Sequence, residues 1–216
     1  MRTPPYKMIY IFGTDGTGKT THADLVSLRL KAKGSRVWRA RVKQHHTLAY
    51  LFLRLLIGKE LGGQPITYYG FHPELSQKIK TPWKILELIS LSPAVIYRVL
   101  LPSFLGYIVV CDRYLFDSLA TLSYFLKDSI IISGTPARLL VKLIPKNSLL
   151  VYLEADTDTI LQRKKDEPLT RQMIEYYKDA YNTLIKQSGL KTLRIDTTIG
   201  SIEEVQQKIQ SLTTSA

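Results

Sequence analysis

The chain has 216 residues and a formal net charge of +12, which suits one α/β domain that buries its own core. Its one cysteine, Cys111, excludes an internal disulfide and favours a cytoplasmic location. The N-terminal residues lack the apolar segment of a signal peptide, and charged residues and prolines interrupt the longest apolar stretch, 85–110. We therefore expect no membrane partner. The basic residues are scattered, which favours attraction of anionic nucleotides over nucleic-acid binding.

The first predicted elements are a strand and a helix, with a glycine-rich loop between them. The apolar run Met8–Phe12 predicts a buried strand. The segment 21–33 predicts a helix with Leu25, Leu28 and Ala32 on one face. A loop that joins a strand to a helix in this order is the context in which a phosphate-binding motif functions.

The loop itself, Gly13-Thr-Asp-Gly-Thr-Gly-Lys-Thr20, matches the pattern G-x-x-x-x-G-K-[ST] at every fixed position. Its glycines allow backbone N–H groups to point inward around a phosphate, and the helix N-terminus adds partial positive charge. We expect Lys19 to reach the β- and γ-phosphates and the Thr20 hydroxyl to hold Mg²⁺. The motif therefore predicts binding of a nucleoside triphosphate. The predicted nucleotide-binding residues are Gly13, Thr14, Asp15, Gly16, Thr17, Gly18, Lys19, Thr20 and Thr21.

Apolar strands alternate with helices along the rest of the chain. Strands are predicted at 36–42, 107–112, 148–153 and 192–195. Helices are predicted at 47–57, 83–91, 94–101, 116–126, 136–142, 158–165 and 169–187, and a last one follows Ser201, which forms a capping box with Glu204. The segment 58–82 is rich in Gly, Pro and Tyr and is predicted to be irregular. The alternation indicates a parallel sheet covered on both faces, with active residues at the carboxyl ends of its strands.

Charged residues follow three of these strands. Asp112 ends an apolar strand and Arg113 follows it, which suits a carboxylate that binds Mg²⁺ through water and an arginine that binds a second phosphate. Arg39 and Arg41 are two positions apart at the end of the second strand, so their side chains point to the same side of it. At least one of them is expected to face the crevice. Arg163 fits either a lid that closes over phosphates or a solvated helix end. The arginine directly after Asp112 favours transfer to an anionic acceptor over hydrolysis.

Together these motifs resemble the thymidylate kinase family of P-loop nucleoside monophosphate kinases, and the resemblance covers nearly the whole chain. The matching segments are 12–25 with its acidic loop residue Asp15, 109–114 with an Asp-Arg-Tyr signature, 153–163 ending in Arg163, and 177–205. The resemblance implies a P-loop NTPase fold with a five-stranded parallel sheet of order 2-3-1-4-5 and helices on both faces. It also implies a homodimer in many members.

The resemblance further implies that the whole chain, 1–216, is a single kinase domain with an acceptor-binding region at about 41–105 and a lid at about 160–172. The implied reaction is Mg²⁺-dependent transfer of the ATP γ-phosphate to dTMP. The implied roles are catalysis by Lys19, Arg113 and Arg163, acceptor binding by Asp15, Arg41 and Arg113, and metal binding by Thr20 and Asp112.

Two positions depart from the family pattern. The family's Arg-Glu-Pro element reads Arg41-Val42-Lys43 here, and its thymine-reading arginine aligns with Leu91, which cannot donate a hydrogen bond to a base. The segment 68–72, Tyr-Tyr-Gly-Phe-His, is another source of base contacts. Two alternatives stay open: a kinase of another nucleotide, nucleoside or small acceptor, and a P-loop binding protein or nucleic-acid-linked ATPase.

Overall fold

The computed structural model describes residues 6–42, 48–49, 60–61, 64–65 and 80–214. Most of the predicted helix at 47–57 and the segment 68–72 lie outside the described residues. Within the stretch predicted to be irregular, Glu60–Leu61 pairs with Gln64–Pro65 in a short antiparallel ladder.

Five parallel strands form the central sheet in the order β2-β3-β1-β4-β5, which confirms the predicted fold class. The strands are β1 (Met8–Phe12), β2 (Val37–Ala40), β3 (Ile108–Cys111), β4 (Ser148–Glu154) and β5 (Thr192–Asp196). Every residue of β1 is buried, because the strand lies in the middle of a sheet that helices cover on both faces. Since all five strands are parallel, their carboxyl ends meet at one edge, and the glycine-rich loop leaves β1 at that edge.

Helices cover the sheet on its two faces. They are α1 (Lys19–Ala32), α2 (Lys80–Val95), α3 (Leu101–Phe104), α4 (Leu115–Leu126), α5 (Ile130–Ser133), α6 (Thr135–Val141), α7 (Thr157–Arg163), α8 (Arg171–Ser188) and α9 (Ile202–Thr214). One apolar layer gathers Ile9 and Ile11 of β1 with residues of α1 and α9. The other gathers Tyr10 and Phe12 with residues of α2, α4 and α8. The alternation of β1 side chains thus divides the core in two.

The predicted apolar face of α1 is wrong. Leu28 is 63% exposed and Ala32 is also exposed, whereas Ala23, Val26 and Leu30 are buried against the sheet. Apolar residues occur on both sides of this helix, so their spacing alone does not select a face. The glycine-rich loop makes that selection, because it starts the helix at residue 19 and so fixes which side meets the sheet.

The predicted break between helices 83–91 and 94–101 is also wrong. The helix α2 continues through Pro93 to Val95, and a π-helical turn, Ile96–Leu100, joins it to α3. Proline removes one backbone hydrogen bond, which usually kinks a helix rather than ending it when packing holds both sides. Here Val95 and Val99 are fully buried in the core.

Among the described residues, the combined stretch Thr81–Phe104 is long and apolar enough to cross a membrane by length and composition. Of its most apolar window, 39% is buried inside the protein. A core helix of a soluble domain meets the same criterion, so this finding is weak evidence for membrane insertion.

Candidate active site

The first glycine of the loop is required by close backbone approach. Gly13 has φ +148°, and a Cβ atom built there would overlap the carbonyl oxygen of Leu153 on the neighbouring strand β4. Gly18 has φ +84° and precedes α1 in the left-handed conformation. Residues that carry a side chain rarely adopt such backbone angles, so glycine at both positions lets the loop turn tightly between β1 and α1.

Lys19 folds back over the loop that carries it. Its Nζ atom donates to the carbonyl oxygen of Thr14 at 2.8 Å and to Asp15 Oδ1 at 2.9 Å, and its side chain is 5% exposed. Burial lowers the pKa of Lys19, and the neighbouring Asp15 carboxylate opposes this effect. The ammonium group therefore lies inside the loop, at the point where a phosphate would meet the loop amides.

Asp15 joins the loop to the end of β3. Its carboxylate forms ion pairs with both Lys19 and Arg113. Burial disfavours the charged form, but the two cations outweigh it and hold the pKa of Asp15 well below its ordinary value. Arg113 has a backbone φ of +146°, which non-glycine residues rarely adopt, and its carbonyl accepts from the Val42 amide at 3.0 Å. The structure thus brings three predicted site residues into one ionic cluster.

Asp112 forms a second cluster, one residue beyond β3. The carboxylate is 1% exposed and accepts from the Thr20 hydroxyl at 2.8 Å and from Arg39 Nη2 at 3.1 Å. Arg41 also forms an ion pair with it. Burial opposes ionisation, yet the hydrogen bonds from Arg41 and Thr20 and the charge of Arg39 lower the pKa of Asp112. Arg39 lies in β2 and Arg41 directly follows the strand. The two residues are two positions apart, and both side chains reach this carboxylate.

Arg163, the last residue of α7, lies on the other side of the loop. Its Nη2 atom donates to the carbonyl oxygen of Thr197 at 2.7 Å, and its Nη1 atom donates to that of Gly16 at 3.3 Å. The guanidinium group therefore bridges the glycine-rich loop and the segment after β5. The polar segment 164–170 begins directly after Arg163 and joins α7 to α8.

A buried network that no sequence pattern marks contacts the loop at the Gly13 carbonyl. Asp117, which is 4% exposed, accepts from the Tyr10 hydroxyl at 2.7 Å and the Tyr114 amide at 3.1 Å. The Tyr181 hydroxyl lies 3.1 Å from Asp117 Oδ1 and 3.1 Å from the Gly13 carbonyl oxygen. Burial, reinforced by the Asp117 charge, raises the pKa of both tyrosines, so both remain donors. In sequence, Asp117 is typical of an ordinary residue in a first helical turn.

Three adjoining hollows follow the loop. The first is lined by Asp15, Arg113, Thr121, Met173, Tyr177 and Tyr181. The second surrounds the Lys19, Thr20, Arg113 and Arg163 side chains. The third lies between Gly18, His22, Arg163, Thr197 and Ile202. A basic hollow therefore lies beside the middle of the loop, and a separate hollow adjoins it on either side.

The metal ligands that the described residues offer at this edge are oxygen atoms. No cluster of three or more His, Cys, Asp or Glu side chains occurs in the part of the chain that the structure describes. The adjacent Thr20 hydroxyl and Asp112 carboxylate are hard oxygen donors, which suit Mg²⁺ that keeps waters and binds substrate phosphates. These two residues therefore fit Mg²⁺ delivered with a nucleotide, and they do not form an all-protein metal site.

Two proteins with similar sequences are a probable and a named thymidylate kinase. The chain is 26% identical over 213 residues to a probable thymidylate kinase of Archaeoglobus fulgidus, with 95% of this chain and 93% of the relative covered. It is 24% identical over 219 residues to a thymidylate kinase of Caldicellulosiruptor saccharolyticus, with 95% of each covered. No protein-family profile matches the chain.

Solved structures share the fold at lower identity. The YorR protein of Bacillus subtilis, solved with phosphorylated GDP, has a TM-score of 0.58 and 19% identity, covering 95% of this chain and 94% of that chain. The deoxyadenosine kinase of M. mycoides, solved with bound dCTP, has a TM-score of 0.60 and 16% identity, covering 97% and 100%.

The fold, together with the similarity to thymidylate kinases, supports an ATP-dependent phosphotransferase of the P-loop kinase class. Within that class, the similarity to thymidylate kinases extends over nearly the whole chain, which confirms the resemblance seen in the sequence.

Proposed function

We propose that the protein is a cytoplasmic nucleoside monophosphate kinase that transfers the γ-phosphate of ATP to dTMP and yields dTDP. The observation that carries this proposal is the position of Asp15 and Arg113. They line both the basic phosphate region and the tyrosine-lined hollow, so one ionic cluster stands between a donor side and an acceptor side. The choice of dTMP is supported by the two thymidylate kinases that are similar to this chain.

On the donor side, the loop amides and Lys19 would bind the β- and γ-phosphates. The hollow beside His22 and Thr197 would receive the nucleoside. Arg163 would bind the transferred phosphoryl group from the lid, because it already reaches the loop carbonyl of Gly16. Thr20 and Asp112 would hold Mg²⁺, which neutralises phosphate charge during transfer.

On the acceptor side, Arg113 and Arg41 would bind the acceptor phosphate and Asp15 the sugar. Arg41 pairs with Asp112 in this structure. When the acceptor binds, Arg41 would exchange the Asp112 carboxylate for the acceptor phosphate. Leu91 is 2% exposed and packs in the apolar core, so the base must be read by other side chains. Tyr177, which lines the acceptor hollow, is the described aromatic side chain that we assign to this role.

A monophosphate acceptor suits this chemistry better than a hydroxyl acceptor. A phosphate oxyanion is already nucleophilic and needs positioning and charge neutralisation only. A nucleoside hydroxyl would need a base, and Asp15 is a weak base because two cations hold its pKa far below the operating pH. We further propose one kinase domain over 1–216, with a lid at about 160–172 and an acceptor region that combines about 41–105 with the hollow lined by Arg113 and Tyr177.

The test is a transfer assay with Mg-ATP and a panel of nucleosides and nucleoside monophosphates, followed by chromatography of the products. We expect a diphosphate product from dTMP and none from thymidine. Lys19→Ala is the matched inactive control, because it removes the loop ammonium and keeps the loop glycines. Phosphorylation of thymidine but not dTMP would refute the proposal that dTMP is the acceptor. Equal rates in the parent and the Lys19 variant would refute the assignment of the active site. Sedimentation velocity would test the homodimer that the resemblance implies.

A further inference from the structure

The edge of the sheet opposite the glycine-rich loop carries a basic and aromatic face. Because the strands are parallel, the segments that lead into them meet at this edge. Backbone hydrogen bonds join them: the Lys7 amide donates to the Asn147 carbonyl at 2.9 Å, and the Ile108 amide donates to the Arg36 carbonyl at 2.8 Å. We call this surface the entry face.

The charge of the entry face has one sign. Its exposed basic residues are Lys7, Lys33, Arg36, Lys146 and Lys191. The described segments that lead into the strands, 6–7, 33–36, 105–107, 145–147 and 189–191, contain no Asp or Glu. Within the described part of the chain, none of the five basic side chains forms an ion pair. Their charge is therefore available to an anionic surface.

Large apolar side chains project beside these charges. Phe104, the last residue of α3, is 87% exposed and Leu105 is 56% exposed, and both lie within three residues of the entry-face residue Tyr107. The Tyr107 ring lies 4.4 Å below the Arg36 guanidinium and 5.9 Å from the ring of Trp38, which is 42% exposed. Exposed aromatic and aliphatic groups mixed with basic groups are typical of side chains that sit at a membrane interface.

We propose that the entry face docks the enzyme on a bilayer surface that contains anionic lipids. Phe104 and Leu105 would enter the headgroup region, and the five basic residues would bind lipid phosphates and carboxylates. A second copy of the chain is a poor occupant, because two such faces would bring ten positive charges together. The docked enzyme keeps its catalytic cleft on the side away from the lipid. The proposal concerns surface contact, not a spanning helix, and it is independent of the proposed function.

The experiment is co-sedimentation of the full chain with vesicles of phosphatidylcholine alone and of phosphatidylcholine mixed with phosphatidylserine. We expect binding to the mixed vesicles, little binding to the neutral ones, and release by added salt. Each basic residue near an anionic surface changes partitioning by roughly fivefold, so Lys146→Glu with Lys191→Glu should weaken binding by about 25-fold or more. Phe104→Ser with Leu105→Ser should also weaken it.

Matched controls lie on the opposite edge. Lys165→Glu makes the same charge change as Lys146→Glu alone, at an exposed position within the proposed lid, and Ile199→Ser removes a side chain that is 95% exposed after β5. Both control variants should bind vesicles as the parent does. Equal loss in the controls, or no binding to mixed vesicles, would overturn the proposal. Two other outcomes would also overturn it. The first is that the same basic residues bind an oligonucleotide while the protein does not bind vesicles. The second is that the protein is a dimer that does not bind vesicles and that Phe104→Ser converts to a monomer.

Discussion

Replacing Asp117 with alanine should destabilise the protein more than almost any other single polar substitution. The carboxylate is buried and serves three donors: the Tyr10 hydroxyl, the Tyr114 amide and the Tyr181 hydroxyl. Alanine would leave Tyr10 without its strongest acceptor and confine Tyr181 to the Gly13 carbonyl. A hydrogen bond to a charged group contributes about 1.5–3 kcal/mol, and stranded buried groups add to the cost. We therefore expect a loss of about 3–6 kcal/mol in the free energy of unfolding.

The assay is calorimetric and urea-induced unfolding of the parent and three variants. A loss of this size should lower Tm by about 6–24 °C in a chain of this length. Tyr181→Phe removes only the hydroxyl, so it should cost about 1–2 kcal/mol. Ser118→Ala is the matched control, because the neighbouring Ser118 hydroxyl is equally buried and has no hydrogen-bond partner among the described residues. If Asp117→Ala and Ser118→Ala unfold within about 1 kcal/mol of each other, the network does not support the loop as argued.

Three further predictions concern the ionic clusters. Asp112→Asn removes one carboxylate charge beside Thr20, so a Mg²⁺ titration should show a lower kcat with nearly unchanged ATP binding; an unchanged kcat would remove Asp112 from the metal role. Arg41→Ala should lower kcat/KM for the acceptor by roughly 30- to 1000-fold and leave the KM for ATP nearly unchanged; unaltered acceptor kinetics would contradict its assignment. The pKa of Asp15 is lower in the folded protein than in the unfolded chain, so its contribution to stability is complete above about pH 4 and is lost as pH falls towards the folded pKa. Unfolding measured against pH should therefore show a steeper acid loss for the parent than for Asp15→Asn, and parallel curves would contradict the ion pairs.

The sequence predicts the sheet and the loop well because both depend on local patterns. A buried parallel strand is a short apolar run, and the boundaries of all five agree with the structure to within two residues. The face of α1 was not predictable from spacing, because apolar residues lie on both of its sides. In the sequence Pro93 predicts a break, but tertiary packing of Val95 and Val99 overrides the lost hydrogen bond.

In the candidate site, too, local sequence patterns mark some residues and not others. A motif marks the loop residues in the sequence and a strand end marks Asp112, and the roles assigned to them stay predictions. The partners of Asp117 were not found, because Tyr10 and Tyr181 are separated from it by 107 and 64 positions. The entry face was missed for a similar reason: its basic residues are scattered in sequence and meet only because five parallel strands begin at one edge.

The most direct test of the proposed reaction follows the phosphate itself. The protein is incubated with Mg²⁺, ATP labelled in the γ-phosphate, and dTMP, and the labelled products are separated. The account predicts that the label appears in the β-phosphate of dTDP, at a rate that depends on dTMP and is lost in Lys19→Ala. Label recovered only as inorganic phosphate, at a rate that dTMP does not change, would contradict it.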